Sequence, residues 1–243
     1  MTKQEQLAEW INESDRIVFF GGAGVSTESN IPDFRSVDGL YHQKYDYPPE
    51  QILSHTFFFQ NTSEFFRFYK DKILIENVKP NPAHIALANL EKQGKLQAVI
   101  TQNIDGLHQM AGSRNVYELH GTVQKNTCVN CRKAYSLDET KKRIHLAKDY
   151  VPRCDCGGII KPDVVLYEEG LDSHCIERSI QAIANADVFI IGGTSLAVHP
   201  AAGLIDYYRG NRLILINKTP TVKYTQPDLE INEPIGQTLS PWA

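Results

Sequence analysis

The stretch Arg16-Ile17-Val18-Phe19-Phe20-Gly21-Gly22-Ala23-Gly24-Val25-Ser26-Thr27-Glu28-Ser29-Asn30-Ile31-Pro32-Asp33-Phe34-Arg35-Ser36 decides the fold. It opens on a short apolar run of β-formers ending in glycines, the pattern of a buried parallel strand that delivers a loop. Glycines there let backbone N–H groups approach a diphosphate, and a helix start just beyond, at Ser26 and Thr27, favours an anion. A hydride-transfer fingerprint would add a third glycine, then a second strand with an acid roughly 20 residues on. Here Val25-Ser26-Thr27 follows Gly22-Ala23-Gly24, and Ile31-Pro32-Asp33-Phe34-Arg35 stands where the second strand would be. The loop has nucleotide character without the hydride-transfer pattern.

Outward from this loop, strands and helices alternate. Residues 2–14 carry Leu7, Trp10 and Ile11 on one stripe and predict an amphipathic helix. Residues 39–78 are aromatic and helical, with Phe57, Phe58, Phe59, Phe65, Phe66, Phe68 and Tyr69, and read as a helical insertion. A helix over 83–92, stopped by Gly94, leads to a strand over 96–100 and another over 116–119. Val164 to Tyr167 reads as a strand or extended edge. Helices over 173–185 and 200–208 then alternate with strands over 188–191 and 213–216. The expected fold is α/β, a Rossmann-like parallel sheet with helices on both faces and a small second domain. The sheet domain takes 1–38, 79–121 and 161–243, the insertion 39–78, and a cysteine module 122–160.

Ligands in such sheets bind at the carboxyl ends of strands, and four of those ends carry polar chemistry. Gly22-Ala23-Gly24 is the first. Gly193-Thr194-Ser195 repeats glycine followed by hydroxyls, and Asn217 ends the strand over 213–216, placed to hold a ribose or a base edge. The fourth pairs Thr101-Gln102-Asn103-Ile104-Asp105 with His120-Gly121. A histidine directly after a strand, beside a carboxylate and two amides, suits proton transfer near neutral pH.

Cys128-x-x-Cys131 and Cys154-x-Cys156 supply four thiolates with no histidine or carboxylate among them. That set predicts one closed, tetrahedral, structural Zn²⁺ site, not a hydrolytic metal. The second pair is one residue tighter than a usual zinc knuckle, and Cys175 stands apart. Paired thiols of this kind point to a reducing compartment. With a polar N-terminal stretch that lacks a signal peptide's apolar run, they predict a cytoplasmic location. The net charge of −4 over 243 residues excludes a nucleic-acid-binding surface by charge, and no window approaches the roughly 18 uninterrupted apolar residues of a membrane span.

Taken together, GAGVS (22–26), IPDFRS (31–36), TQNID (101–105), LHG (119–121), the four cysteines, GTSL (193–196) and IN (216–217) make the chain similar to bacterial sirtuins, the NAD-dependent protein-lysine deacylases. The resemblance covers nearly the whole chain. It implies that Gly22, Ala23, Gly24, Thr27, Phe34 and Arg35 line the NAD loop, where a glycosidic bond is broken and no hydride passes. Gln102, Ile104 and Asp105 would hold nicotinamide and ribose. Asn103 would order the ribose and its water, and His120 would be the base on a ribose hydroxyl. Gly193, Thr194, Ser195 and Asn217 would hold the adenosine half, with Ile235 near them. The acyl-peptide would pair as a strand against Val164, Val165 and Tyr167 on one side and the loop at Val198 on the other. Lysine, nicotinamide and O-acetyl-ADP-ribose would be the products.

Three departures from the family pattern stand out. Asn30 replaces the usual glycine before IPDFR, and asparagine tolerates left-handed backbone. Tyr167-Glu168-Glu169 replaces the usual Phe-Gly-Glu, which puts a charge beside the expected peptide groove. Leu40-Tyr41-His42-Gln43-Lys44-Tyr45 lacks the Tyr–Arg pair of succinyl-preferring members, which favours short neutral acyl groups. Two other readings are protein mono-ADP-ribosyl transfer from the same site and a non-catalytic NAD-sensing module.

Overall fold

The structure is a computed structural model that describes residues 1–33, 46–219 and 226–243. Phe34, Arg35 and the 40–45 segment lie outside the described residues. After α1 (Lys3–Glu13), capped by a Thr2–Glu5 box, the chain enters β1 (Ile17–Gly21), which is buried at every position. A strand apolar on both faces needs cover on both faces. Phe19 accordingly packs into the cluster with Leu7, Ile11 and Leu87, and Phe20 into the opposite one with Ile183, Phe189 and Leu215.

Short helices α2 (Pro49–Ile52), α3 (His55–Gln60) and α4 (Thr62–Phe68) form the insertion, ending in a π turn over Tyr69–Ile73. Next come α5 (Pro82–Lys92), β2 (Leu96–Thr101), α6 (Leu107–Ala111) and β3 (Val116–Glu118). A small antiparallel sheet follows, made of β4 (Gly121–Cys128), β5 (Ala134–Ser136) and β6 (Ile160–Val164), with α7 (Leu137–Leu146) beside it. The large sheet resumes through α8 (Ser173–Ala184), β7 (Val188–Gly192), β8 (Leu213–Ile216) and β9 (Leu229–Ile231), and the chain closes with α9 (Ile235–Leu239).

The large sheet is parallel throughout, in the order β3-β2-β1-β7-β8-β9. That order reverses direction between β1 and β7, and the crevice at such a switch point is where ligands of doubly wound sheets bind. Both glycine loops leave the sheet there. The aromatic insertion packs with Val123, Ile144, Val164 and Leu166 into a separate core. Among the described residues no helix is long and apolar enough to cross a membrane.

Three local expectations change, and one strand, β9, had no expectation at all. Ser26 and Thr27 do not start an α-helix; two 3-10 turns, Ala23–Val25 and Thr27–Ser29, bring the chain back to Asn30, which is left-handed at φ 63°. Residues Ala201–Tyr207 are also 3-10 and not α-helical. The strand expected at Val164 begins earlier, at Ile160, and pairs with β4 in the small sheet. The short edge strand β9 carried too few apolar residues to be read.

Candidate active site

The site is built on two loops packed glycine to glycine. Gly24 N–H donates to the Gly193 carbonyl at 2.8 Å, and a Cβ on Gly24 would lie 2.8 Å from Gly193 Cα. A Cβ on Gly22 would lie 2.9 Å from Thr194 Cβ, and Gly193 itself is left-handed at φ 59°. The glycines are therefore required by loop-to-loop packing as well as by any ligand. The Thr27 hydroxyl donates to Gly24 O at 2.9 Å and the Ala23 carbonyl accepts from Ser26 N–H, so the turn is closed on itself.

Gln102 links the strand ends. Its N–H donates to Gly21 O at 2.9 Å, and its side-chain amide donates to Thr194 Oγ1 at 3.0 Å. The amide of Asn217 is doubly engaged: Oδ1 accepts from Thr194 N–H at 3.1 Å and Nδ2 donates to Thr194 O at 2.8 Å. The structure thus gives the Asn217 side chain a bracing task that was not expected of it. The Ile235 side chain is 3% exposed and packs in the core against Gly192, where a Cβ would collide with Ile235 Cδ1, so apolar burial draws it inward. Ser195 is half-buried on the same loop.

A second network lies under the opposite end. Asn103, 8% exposed, donates from Nδ2 to Ser26 Oγ at 3.1 Å, and the Ser26 hydroxyl donates to Asp105 Oδ2 at 2.7 Å. Asp105 Oδ1 accepts from Leu107 N–H at 2.9 Å, at the start of α6. Ser26 sits at the centre of this network, yet its letter alone gave it no role; the only signal was its place in the glycine loop. Ile104 packs partly against the insertion core, and its carbonyl accepts from Val123 N–H at 3.0 Å.

His120 joins the two halves. Its Nδ1 lies 2.9 Å from the Gln102 carbonyl. A carbonyl only accepts, so Nδ1 carries the proton and Nε2 keeps its lone pair. Burial holds the imidazole pKa below its usual value, partly opposed by that same hydrogen bond. The ring is therefore neutral at pH 7 and able to take a proton. Gly121 follows at φ 73°, and any Cβ there would strike the Asp163 carbonyl, which fixes the turn that aims the histidine.

On the expected peptide side, Val164 is a core residue, 6% exposed, and its carbonyl accepts from Lys161 Nζ at 3.0 Å. Val165 N–H donates to His120 O at 2.8 Å, which ties this edge to the turn that carries the histidine. Tyr167 is exposed, but its N–H donates to Leu53 O at 2.9 Å and its carbonyl accepts from His55 N–H at 3.0 Å. The insertion therefore takes up main-chain groups that were expected to meet a peptide. Val198 is half-buried and its carbonyl accepts from Ala202 N–H.

The four cysteines converge, with all their sulfurs within 4.8 Å of one another. Cys128–Cys156 and Cys131–Cys154 are each 3.5 Å apart. Four ligands about 2.3 Å from a tetrahedral Zn²⁺ stand roughly 3.8 Å apart, so the set fits that ion. The tight Cys154-x-Cys156 spacing closes because Gly157 turns at φ 85° and Gly158 lets the loop approach Cys128, where a Cβ would lie 2.8 Å from Sγ. Tyr135 OH donates to Cys154 Sγ at 3.0 Å, an outer-shell contact of the kind that orients ligands. Cys175 lies apart on α8, packed against the sheet core.

The model of the Sir2 family matches residues 22–200. An NAD-dependent protein deacetylase of Clostridium acetobutylicum is 56% identical over 242 residues, covering 98% of this chain and 97% of the relative. One of Clostridium perfringens is 57% identical over 241 residues, covering 98% and 97%. A solved Sir2 variant with a deacetylated p53 peptide and 3′-O-acetyl-ADP-ribose superposes with a TM-score of 0.89 at 37% identity, covering 98% of this chain and 96% of that one. Joined glycine loops, a neutral histidine at the strand ends and a four-thiolate module in one chain, matched over nearly its full length, place the protein in the Sir2 family.

Proposed function

We propose that this chain is an NAD-dependent protein-lysine deacetylase that releases nicotinamide and O-acetyl-ADP-ribose. The observation that carries the reading is His120, neutral, half-buried and fixed through Nδ1 to the carbonyl of Gln102, with Nε2 left to take a proton. Gly22, Ala23, Gly24 and Thr27, with Phe34 and Arg35, would enclose the diphosphate and nicotinamide-ribose side. Gln102, Ile104 and Asp105 would hold the nicotinamide end, and Asn103 the ribose. Gly193, Thr194, Ser195 and the main chain near Asn217 and Ile235 would receive the adenosine half. Bound NAD supplies a ribose carbon whose bond to nicotinamide can give way to an acyl oxygen. His120 Nε2 would take a proton from a ribose hydroxyl, with Gln102 O holding the charged ring in place through Nδ1. The edge at Val164, Val165 and Tyr167 and the loop at Val198 would seat the acylated peptide. Cys128, Cys131, Cys154 and Cys156 would hold one structural Zn²⁺ with no position open to substrate. Their thiol cluster, which needs reduced sulfur, supports a cytoplasmic location.

Incubation with acetylated peptides, with and without NAD, followed by mass analysis tests this. NAD-dependent loss of acetyl with formation of O-acetyl-ADP-ribose is expected. ADP-ribose attached to the protein acceptor, with acetyl retained, would instead show mono-ADP-ribosyl transfer.

A further inference from the structure

Of the acidic pair after Tyr167, Glu169 keeps the family's usual acid and Glu168 adds a charge where the family has glycine, and the structure shows where both charges go. Glu168 is left-handed at φ 75°, a conformation that costs a residue with a Cβ. Its side chain bends back so that Oε2 accepts from Thr56 N–H at 2.8 Å in the first turn of α3. Glu169 faces the same segment: Oε1 lies 2.9 Å from His55 Nδ1, and Oε2 accepts from Leu166 N–H at 2.9 Å and from Lys161 Nζ at 3.2 Å. The two main-chain bonds of Tyr167 to Leu53 and His55 lie between them. Residues 53–56 of the insertion are thereby fastened to residues 166–169, directly beyond Val165, whose N–H holds the His120 carbonyl.

We propose that Glu168 is a positioning residue for the peptide substrate, a tether that fixes the insertion against the Val165–Tyr167 edge before the acylated peptide arrives. The proposal rests on the deacetylase reading. Because the carboxylate is turned onto Thr56, its charge is held on the first turn of α3, and the left-handed backbone is held by the bond it makes. The held carboxylate is also kept below the usual glutamate range, chiefly by the hydrogen bond from Thr56.

Three variants separate tether, charge and backbone. Glu168→Ala removes the acceptor, Glu168→Gln keeps an amide oxygen for Thr56, and Glu168→Gly removes the acceptor while relieving the backbone. Loss of a hydrogen bond to an ionised group is expected to raise the KM for an acetylated peptide about tenfold in the Ala and Gly variants. kcat and the KM for NAD should stay within about twofold. The Gln variant should recover most of the peptide KM. Amide exchange over residues 53–60 should quicken in Ala and Gly and stay near wild type in Gln. An unchanged peptide KM in Glu168→Ala, a Gln variant as impaired as Ala, or a loss shared equally by kcat and the KM for NAD would each overturn the proposal. A wild-type protein that removes no acetyl group would refute the deacetylase reading instead, and the exchange over 53–60 would still decide whether the tether exists.

Discussion

At the ends of the large sheet, functional groups are held by main chain and amides. Gln102 and Asn217 both fasten the Thr194 turn, and Gly24 packs on Gly193 with no room for a side chain. In the small half the corresponding devices are a sulfur cluster and charges at the surface. There Asp155 is flanked by Lys133 at 2.8 Å and Arg143 at 2.9 Å, and Glu169 receives His55 and Lys161. The difference follows from size. Six parallel strands covered on both faces bury enough apolar surface to stand alone, whereas a three-stranded sheet with short helices needs a staple. The proposed function puts proton chemistry on the rigid half and peptide seating on the stapled half, so damage to the first should cost rate and damage to the second should cost structure.

The largest expected effect tests the staple. Apparent zinc affinity in small zinc modules is about 10–16 kcal/mol and is coupled to folding. Cys128→Ala should therefore lose the metal and amide protection across 122–160, with deacetylation lost as a consequence. Trp10 and Trp242 both pack on the large-sheet core, so their fluorescence should report that half as still folded. One equivalent of zinc retained in the variant, or collapse of both halves in a single transition, would end the distinction.

Next is the chemistry. His120→Ala should lower deacetylation by about 10²–10⁴-fold, the usual worth of a general base, while zinc content and Tm hold. Because burial lowers the wild-type imidazole pKa, the acid limb of the activity profile should lie below that of an ordinary imidazole. A variant that unfolds, or one that deacetylates normally, would make His120 structural.

The strands of the large sheet and the glycine loops were legible because apolar runs ending in glycine have few other uses. TQNID and His120 were legible because polar letters crowd the ends of those strands. What the letters hid depended on partners distant in sequence. Ile160–Val164 joins the small sheet only through its pairing with β4. Ser26 matters through Asp105 and Asn103, 79 and 77 residues away. Asn217 shows its bracing role only when the Thr194 main chain is placed against it. Ile235 is a core residue because α9, packed on α5, sets its side chain against Gly192. Glu168 reads as a charge in the groove, and only its φ and the position of Thr56 show it turned away.

Asn217→Ala gives a smaller effect, within the rigid half. It strips partners from a buried N–H and a buried carbonyl, costing about 1–3 kcal/mol. The Thr194 turn should loosen, raising the KM for NAD with little change in the KM for peptide. Equal rises in both constants would mean that the brace serves the whole fold and not the nucleotide side.

The smallest effect at neutral pH belongs to two histidines with no part in the chemistry. His84 and His108 are buried, with ring centroids 4.7 Å apart beneath the site. His84 Nδ1 accepts from Asn81 N–H at 3.3 Å, closing the capping box of α5, while neither nitrogen of His108 meets a partner among the described residues. Burial pushes His84 down to about 4, against an upward pull from Asp105. It pushes His108 down to about 3, with His84 adding to the shift. Above the ordinary imidazole pKa both states of the chain are uncharged at these positions, so the pair adds no pH dependence. As pH falls below about 6.5 the unfolded chain binds protons that the folded chain refuses. Stability should then decline with pH by up to about 1.4 kcal/mol per unit for each histidine, until the folded pKa values are reached. His108→Phe keeps a ring beside Phe19 and removes two buried polar atoms, so stability at pH 7.5 should move by no more than about 1 kcal/mol. Urea unfolding followed by tryptophan fluorescence at several pH values from 7.5 to 4.5 reads only the large-sheet half. The decline below pH 6 should be shallower in His108→Phe by about one proton. An unchanged slope would place the acid sensitivity of this half elsewhere.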